Sequence, residues 1–372
     1  MAHCNNEAAS ELLKAIFVWL DDAGIEYCVE RNYAGYPNKI TGDVDLIVSD
    51  NELTTAAEGI LRLSKEHGWF CYQQHIWGKS AYLGLSADIF PNRFALTVEL
   101  FDGARWKGFP YLSAATALQS RRYTGTTWRP LAEHQAVITL IHHLLYNREV
   151  PQKYRQEILE LACADPAATT AVLSRPFGQT TANKLVKRVA EQQWDSLVGM
   201  VASLRWALVI RSLVWSPLST LTTMCKGMVA KSRLPSGVLL IVKGNDEPRR
   251  KLLAQEILEL GNKWHLFVPP VRRIIDCQDE ETSGALSQIN RIVETGGVAI
   301  LNVSDDVSVD TGQLQSVYEI VLDDNEWALC CFCHPKLTSQ NRHLDGGSLH
   351  NTHTAVSKIW QCVLKDRASY QP

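Results

Sequence analysis

Two aspartates separated by one residue form the first candidate site in the sequence. Asp43 and Asp45 lie in the run GDVDLIV at residues 42–48, whose alternating apolar residues predict a short β-strand. On a strand both carboxylates point to the same face, with their Cα atoms roughly 6.5–7 Å apart. Such close charges repel each other unless a cation lies between them, and Mg²⁺ prefers oxygen ligands. The pair predicts a metal site for phosphoryl or nucleotidyl transfer; the alternative is a solvated strand end with two exposed acids.

A third carboxylate follows in the run ALTVELF at residues 95–101, which predicts another strand. Glu99 is an acid in an otherwise apolar strand, where a charge must be paired or must bind a cation. Asp88 is the alternative, but it lies beside the turn predicted at Pro91-Asn92. We therefore expect Glu99 to complete the set of metal ligands.

Residues near these acids suggest contacts to phosphate. Gly42, directly before Asp43, allows a tight turn or the close approach of a phosphate. Arg31 either reaches a triphosphate or forms a salt bridge with Glu30 or Asp43. Lys107 borders Trp106 after the strand predicted at 95–101. There it either contacts phosphate beside a base stacked on the indole, or lies in a solvated loop.

Several runs resemble a branch of bacterial proteins. They are YCVERNY from residue 27, GDVD from residue 42, ELFDG from residue 99 and WKGFPYL from residue 106. The branch couples a nucleotidyltransferase domain to a domain like thymidylate kinase, and it is associated with surface-polysaccharide gene sets. In that superfamily three carboxylates hold two metal ions around a nucleoside triphosphate. The resemblance implies that role for Asp43, Asp45 and Glu99, with Mg²⁺ or Mn²⁺.

One departure from the superfamily lies before the Asp-x-Asp strand. The wider group has a Gly-Ser pair there, in contact with the triphosphate, whereas this chain reads RNYAG at residues 31–35. We therefore expect Arg31 and Asn32 to contact the triphosphate in a different way.

The C-terminal third opens with GVLLIVKG at residues 237–244, which predicts a buried parallel strand followed by a helix. A phosphate-binding loop at this point needs Gly-x4-Gly-Lys-Ser/Thr. In that motif Arg249, Arg250 and Lys251 stand in the places of the second glycine, the lysine and the hydroxyl residue. We expect a kinase-like unit without kinase chemistry, with phosphate binding by the two arginines as the alternative.

The middle of the chain is predicted to be helical. Its histidines, His134, His142 and His143, are interpreted mainly as core or interface residues. The segment 204–231 mixes apolar residues with arginine and lysine and is too interrupted for a membrane span of about 20 apolar residues. We expect two buried packing helices there; the alternative is an amphipathic element on a membrane surface or on the polysaccharide machinery.

Composition limits the broad class of the protein. The 372 residues are 46% hydrophobic and carry a net charge of −3, so no overall basic field favours nucleic acid. The ten cysteines show no regular spacing, and the N-terminus has no signal-peptide pattern. These features predict a cytoplasmic protein with reduced thiols.

Together these patterns predict a multidomain α/β protein. We expect a nucleotidyltransferase-type mixed sheet at 1–125, a helical domain at 126–232 and a P-loop kinase-like parallel α/β domain at 233–372. The predicted activity is metal-dependent transfer of a nucleoside monophosphate from a nucleoside triphosphate to an acceptor that the sequence does not identify. The alternative is a catalytically inactive scaffold or regulatory protein that uses its nucleotide-fold domains for assembly. A homo-oligomer is compatible with either prediction.

Overall fold

The computed structural model describes residues 7–31, 35–40, 42–76, 79–87, 95–215, 217–218, 237–263, 272–276, 282–294, 297–305, 316–323, 326–333, 342–348 and 352–368. These residues form two large sheets, with a group of helices between them in the sequence. The expectation of a multidomain α/β protein is confirmed at this level.

The first sheet is mixed and has five strands in the order β1-β2-β5-β4-β3. They are β1 (Tyr27–Val29), β2 (Val44–Val48), β3 (Trp69–Ile76), β4 (Ser80–Ala87) and β5 (Ala95–Phe101). β2 and β5 run parallel, whereas the pairs β1/β2, β4/β5 and β3/β4 are antiparallel. The two predicted acidic runs are therefore direct neighbours in the sheet.

Two amphipathic helices, α1 (Glu7–Asp22) and α2 (Leu53–Glu66), cover one face of this sheet. Helix α1 ends before Gly24, whose φ of 68° lies in the left-handed region that favours glycine. Leu46 of β2 is buried in the same core. Because side chains alternate along a strand, Asp45 lies on the opposite face.

The middle of the chain is helical after two short hairpins. Its elements are β6 (Gly103–Trp106), β7 (Phe109–Ser113), α3 (Ala114–Leu118), β8 (Arg122–Tyr123), β9 (Trp128–Arg129), α4 (Ala132–His142), α5 (Gln152–Ala164), α6 (Pro166–Phe177), α7 (Gln179–Ala190), α8 (Trp194–Val198) and α9 (Val201–Trp215). A π-helical turn, His143–Asn147, joins α4 to the loop before α5. One apolar core links these helices to the β6–β7 hairpin and to Cys28 and Ile47 of the first sheet. The apolar core is thus continuous across residue 125, where the first domain is predicted to end.

Helix α9 has one buried side and one exposed apolar side. Leu208 is buried in the helical core. Trp206, Ile210 and Val214 are 67%, 57% and 72% exposed. The expectation of two buried packing helices over 204–231 is therefore wrong for the described residues, because apolar side chains extend around the helix beyond its contact with the core. The rest of that segment lies outside the described residues.

The C-terminal unit contains the second large sheet. Its elements are β10 (Val238–Lys243), α10 (Glu247–Lys263), β11 (Arg272–Asp276), α11 (Thr282–Glu294), β12 (Val298–Val303), β13 (Ser316–Asp323), β14 (Glu326–Cys333), β15 (Arg342–Ser348) and α12 (Thr352–Ala368). The strand order is β11-β12-β10-β13-β14-β15. The first four are parallel neighbours, and β14 and β15 add antiparallel pairs. The sheet is therefore mixed, whereas the sequence predicts a parallel one, because β14 and β15 extend it with antiparallel strands; the parallel part includes β10, which its apolar run predicts.

The last helix of the chain packs against the first sheet. Trp360 of α12 shares a core with Tyr72 of β3 and Ala95 of β5. Gln361 Nε2 donates to the carbonyl of Ala87 over 3.5 Å. The face of the first sheet that carries Asp45 is thus covered partly by α12 and partly by the helical unit.

Candidate metal centre

Asp43, Asp45 and Glu99 bring their carboxylates together. One oxygen from each lies within 4.8 Å of the others. Strand pairing explains the cluster, since Asp45 of β2 is the register partner of Glu99 on the parallel strand β5. Asp43 stands two residues before Asp45 and reaches the same face. The structure therefore assembles the triplet that the sequence predicts.

Arg31 is the cation found beside these acids. Its Nε donates to Oδ2 of Asp45 over 3.0 Å, and both side chains are largely buried. The sequence offered Glu30 or Asp43 as salt-bridge partners. The structure selects Asp45 because Arg31 follows β1, the antiparallel neighbour of β2. Glu30 is also buried, and its backbone N–H donates to the carbonyl of Asp45 over 2.8 Å.

Burial and mutual repulsion raise the pKa values of the acids. The pKa of Glu99 lies well above its usual range, first because of burial and then because of the charges of Asp45 and Asp43. The pKa of Asp45 is raised by burial and by Asp43, although Arg31 opposes the change. Burial likewise raises the pKa of Glu30, again against the effect of Arg31. One guanidinium thus compensates only part of the negative charge, and the donor set favours a divalent cation.

The loop before β2 positions Asp43. The hydroxyl of Tyr36 donates to the Asp43 carbonyl over 3.0 Å, and Tyr36 itself is buried. Thr126 Oγ1 donates in turn to the Tyr36 carbonyl over 3.1 Å. Gly42 is half-buried directly before Asp43. These contacts hold the backbone at Asp43, which the polar composition of the loop did not reveal.

A row of polar residues continues from the acids across the sheet. Glu99 is paired with Tyr82 of β4, and Tyr82 is paired with His75 of β3. The buried hydroxyl of Tyr82 shares a hydrogen bond with Thr97. Asp45, Glu99, Tyr82 and His75 therefore occupy successive strands on one face. The sequence did not predict this row, because it depends on the pairing of four strands.

The helical unit contributes an aromatic wall beside Arg31. His142 and Tyr146 stack with their ring centres 4.8 Å apart, across the junction of α4 and the π-helical turn. Burial, followed by the positive charge of Arg31, lowers the pKa of His142 to about 2, so the imidazole is neutral. Burial raises the pKa of Tyr146, and the charges of Glu30 and Glu99 raise it further. The sequence interpretation missed this wall, although the i, i+4 spacing of the two rings was a usable signal.

Other predicted contacts lie elsewhere or outside the described residues. Lys107 lies in the turn between β6 and β7, with Nζ 5.5 Å from the centre of the Trp106 ring. Arg105 pairs with the buried carboxylate of Asp102, which also accepts from Lys79 over 2.9 Å. The structure therefore gives these basic residues partners within the protein. Asn32 and Asp88 lie outside the described residues.

The loop after β10 is closed by its own side chains. Arg250 is buried, donates Nε to Asn302 Oδ1 over 3.0 Å and also hydrogen-bonds the Gly244 carbonyl. Arg249 pairs with Asp246 over 3.3 Å, while Lys251 pairs with its neighbour on α10, Glu247, over 2.6 Å. The alternative of phosphate binding by the arginine pair is weakened, because the Arg250 guanidinium is turned into the protein.

Comparisons with known proteins add little to this geometry. No protein-family model matches the chain, and no curated protein matches it. Among solved structures, the crystal structure of JHP933 from Helicobacter pylori is similar at 13% identity, covering 58% of this chain and 96% of that one, with a TM-score of 0.25. A likeness this slight carries no inference about fold or activity, so the function must be argued from the site.

Proposed function

We propose that this protein is a metal-dependent nucleotidyltransferase. It transfers a nucleoside monophosphate from a nucleoside triphosphate to an acceptor oxygen. The observation that carries the proposal is the convergence of three acids on two adjacent parallel strands: Asp43 directly before β2, Asp45 on β2 and Glu99 on β5, with one oxygen from each within 4.8 Å of the others.

The chemistry of the donor set fits Mg²⁺ or Mn²⁺. Asp43, Asp45 and Glu99 offer hard carboxylate oxygens, and their raised proton affinity reflects negative charge that Arg31 offsets only in part. When bound, the metal supplies neutralisation of charge on the triphosphate and on the leaving pyrophosphate.

The side chains around the acids have distinct roles in this scheme. Glu99 accepts the proton of the attacking acceptor hydroxyl, whose oxygen forms a bond to the α-phosphorus. The bond from that phosphorus to the bridging oxygen breaks, and pyrophosphate leaves with the electron pair. Arg31 contributes fixed positive charge beside Asp45, and the wall of His142 and Tyr146 offers flat surfaces to a base.

Four further residues are our proposed contacts for the triphosphate: Gly42, Arg31, Asn32 and Lys107. Gly42 and Arg31 adjoin the acids, whereas Asn32 lies outside the described residues and Lys107 lies over Trp106. The cytoplasmic setting is proposed from the sequence, and a role in surface-polysaccharide assembly is proposed from the resemblance; neither identifies the acceptor. We propose the C-terminal unit as a kinase-like module without phosphate chemistry, because Arg250 fills its loop.

The test uses the full-length protein with Mg²⁺ or Mn²⁺ and each α-labelled nucleoside triphosphate in turn. Pyrophosphate release and label transfer are measured, with cell extract supplying acceptors. We expect activity with at least one triphosphate, and a loss of about 10³-fold or more in the Asp43→Asn/Asp45→Asn variant. Asp22→Asn, an exposed acid of α1, is the matched control and should keep full activity.

The second candidate function is an inactive scaffold. It is favoured by the ion pair of Arg31 with Asp45, because the guanidinium occupies a carboxylate oxygen that the enzyme would use to bind the metal. Calorimetric titration of the full chain with each triphosphate separates the candidates. Binding that requires Mg²⁺ and is lost in the double variant supports the enzyme. If no triphosphate is bound and none is turned over, the enzyme proposal is wrong and the scaffold is the function to retain.

A further inference from the structure

Glu30 is a fourth acid beside the candidate metal centre. It follows β1 directly, and its backbone N–H donates to the carbonyl of Asp45 on the neighbouring strand over 2.8 Å. Residues that lie opposite each other in an antiparallel pair point to the same face of a sheet. Glu30, Asp45 and Glu99 therefore stand in one row across the ends of three adjacent strands.

The carboxylate of Glu30 has no hydrogen-bond partner that would compensate for its burial. Glu30 is 5% exposed, yet its carboxylate accepts no hydrogen bond from another described residue. The neighbouring cation, Arg31, donates to Asp45 instead. A buried carboxylate is costly unless hydrogen-bond donors surround it, so the arrangement points to a donor that a ligand supplies.

Tyr111 of β7 supplies a second buried polar group of this kind. It is 4% exposed, and its hydroxyl makes no hydrogen bond within the part of the chain that the structure describes. Burial raises the pKa of Tyr111, and the negative charge of Glu30 raises it further, ahead of the effects of Tyr146 and Asp45. The phenol is therefore close to Glu30, and it lies near both the acids and the aromatic wall.

A ligand hydroxyl suits Glu30 and Tyr111 together. A hydroxyl can donate to the Glu30 carboxylate and accept from the Tyr111 phenol, whereas a C–H group can do neither. In the proposed nucleotidyltransferase the triphosphate lies at the three metal-binding acids, and the base lies at the wall of His142 and Tyr146. The sugar joins these two parts of the nucleotide, so its hydroxyls are the groups that come to Glu30 and Tyr111.

We propose that Glu30 and Tyr111 bind a ribose hydroxyl and make the protein selective for ribonucleoside triphosphates. This inference rests on the proposed nucleotidyl transfer. Acidic side chains bind ribose hydroxyls in dinucleotide sites as well. A site built around a substrate hydroxyl rejects the analogue that lacks it, because the buried polar groups are then left without partners. A Glu30 that only balanced the charge of Arg31 would affect ribose and deoxyribose substrates alike.

The test compares kcat/KM for the ribose, 2′-deoxyribose and 3′-deoxyribose forms of each nucleoside triphosphate, with the full-length protein and Mg²⁺. We expect the wild type to disfavour one of the two deoxy forms by about 100-fold. Glu30→Met removes both acceptor oxygens and should abolish this preference, whereas Glu30→Gln keeps one acceptor and should retain part of it. Tyr111→Phe should reduce the preference by about tenfold.

Glu66→Met and Tyr123→Phe are the matched controls, because both side chains are exposed, and they should keep the preference of the wild type. Calorimetric titration with the ribose and deoxyribose forms measures the preference without turnover. Thermal unfolding checks that the variants fold, and Tyr111→Phe, which removes a single oxygen, keeps the test decisive if Glu30→Met does not.

Equal use of all three sugars by an active wild type overturns the ribose site, while nucleotidyl transfer stands. An unchanged preference in Glu30→Gln, Glu30→Met and Tyr111→Phe also overturns it and leaves Glu30 as the counter-charge of Arg31. If no triphosphate is bound or turned over, the ribose site fails together with the proposed function.

Discussion

Asp45 and Glu99 are register partners on two adjacent parallel strands. The pairing places two carboxylates on one face, and the third, Asp43, adds its charge to both. Folding therefore brings together like charges, which the ion pair of Arg31 with Asp45 relieves in part. Like charges that are held close together in this way lower the stability of the folded state, and such clusters are typical of functional sites.

The Glu99→Gln variant should be more stable than the wild type in the absence of metal. Because the pKa of Glu99 is raised on folding, the native state binds more protons than the unfolded state above about pH 4.3, and stability falls as the pH rises. We expect a gain of about 1–2 kcal/mol in the free energy of unfolding at pH 8, which disappears near pH 4.

Urea unfolding in EDTA at both pH values measures this difference. Glu58→Gln on the exposed side of α2 is the control and should be neutral. If the Glu99→Gln variant is less stable than the wild type at pH 8, the negative charge of the Glu99 carboxylate is already compensated by other groups in the folded protein.

Arg31→Met should have the opposite effect. It removes the guanidinium 3.0 Å from Asp45 and leaves buried acids without that charge, so we expect a loss of about 3 kcal/mol at neutral pH. Mg²⁺ should recover part of this loss, and its stabilising effect should be larger in Arg31→Met than in the wild type. Arg31→Lys, which keeps the charge, should lie between them.

Thermal unfolding over a series of Mg²⁺ concentrations checks the expectation for Arg31. Equal responses to Mg²⁺ in the wild type and in Arg31→Met would mean that the guanidinium and the cation do not share the site.

Gly84→Ala should destabilise the first sheet. A Cβ at Gly84 would lie 2.6 Å from the Cζ atom of Tyr72, whose ring is buried on β3. We expect a loss of about 1–3 kcal/mol from overpacking. Gly199→Ala is the matched control, because its Cβ would meet only a carbonyl at 3.5 Å. Chemical denaturation of both variants gives the comparison, and equal stabilities would mean that Tyr72 moves freely aside.

Arg250→Met should destabilise the C-terminal unit by roughly 2–4 kcal/mol. The substitution removes charge-assisted hydrogen bonds to Asn302 and to the Gly244 carbonyl inside the protein. Arg249→Met is the control: its side chain is 46% exposed and pairs with Asp246, so its effect should stay within about 0.5 kcal/mol. Calorimetric melting distinguishes the two, and a neutral Arg250→Met would show that the loop does not depend on this residue.

The sequence was informative where local pattern and chemistry coincide. Alternation of apolar residues located β2 and β5, and an acid inside each strand identified Asp45 and Glu99. The apolar run before Gly244 likewise located β10. These features could be predicted because each depends on a few consecutive residues.

Features that depend on distant residues could not be predicted in this way. The choice of Asp45 as the partner of Arg31 required the antiparallel pairing of β1 with β2. The stacking of His142 on Tyr146 required a helix that changes to a π-helical turn. The exposure of Trp206 depends on which side of α9 the helical core occupies.

Helix α12 has a consequence for synthesis of the protein. Trp360 belongs to α12, yet it shares a core with Tyr72 of β3, a strand that is made much earlier. During synthesis the acidic sheet therefore emerges with one face uncovered, and apolar surface at Tyr72 stays open to chaperones until residues 352–368 have been made. Folding of the sheet that carries the acids is thus finished by a helix that follows the whole second sheet in the sequence.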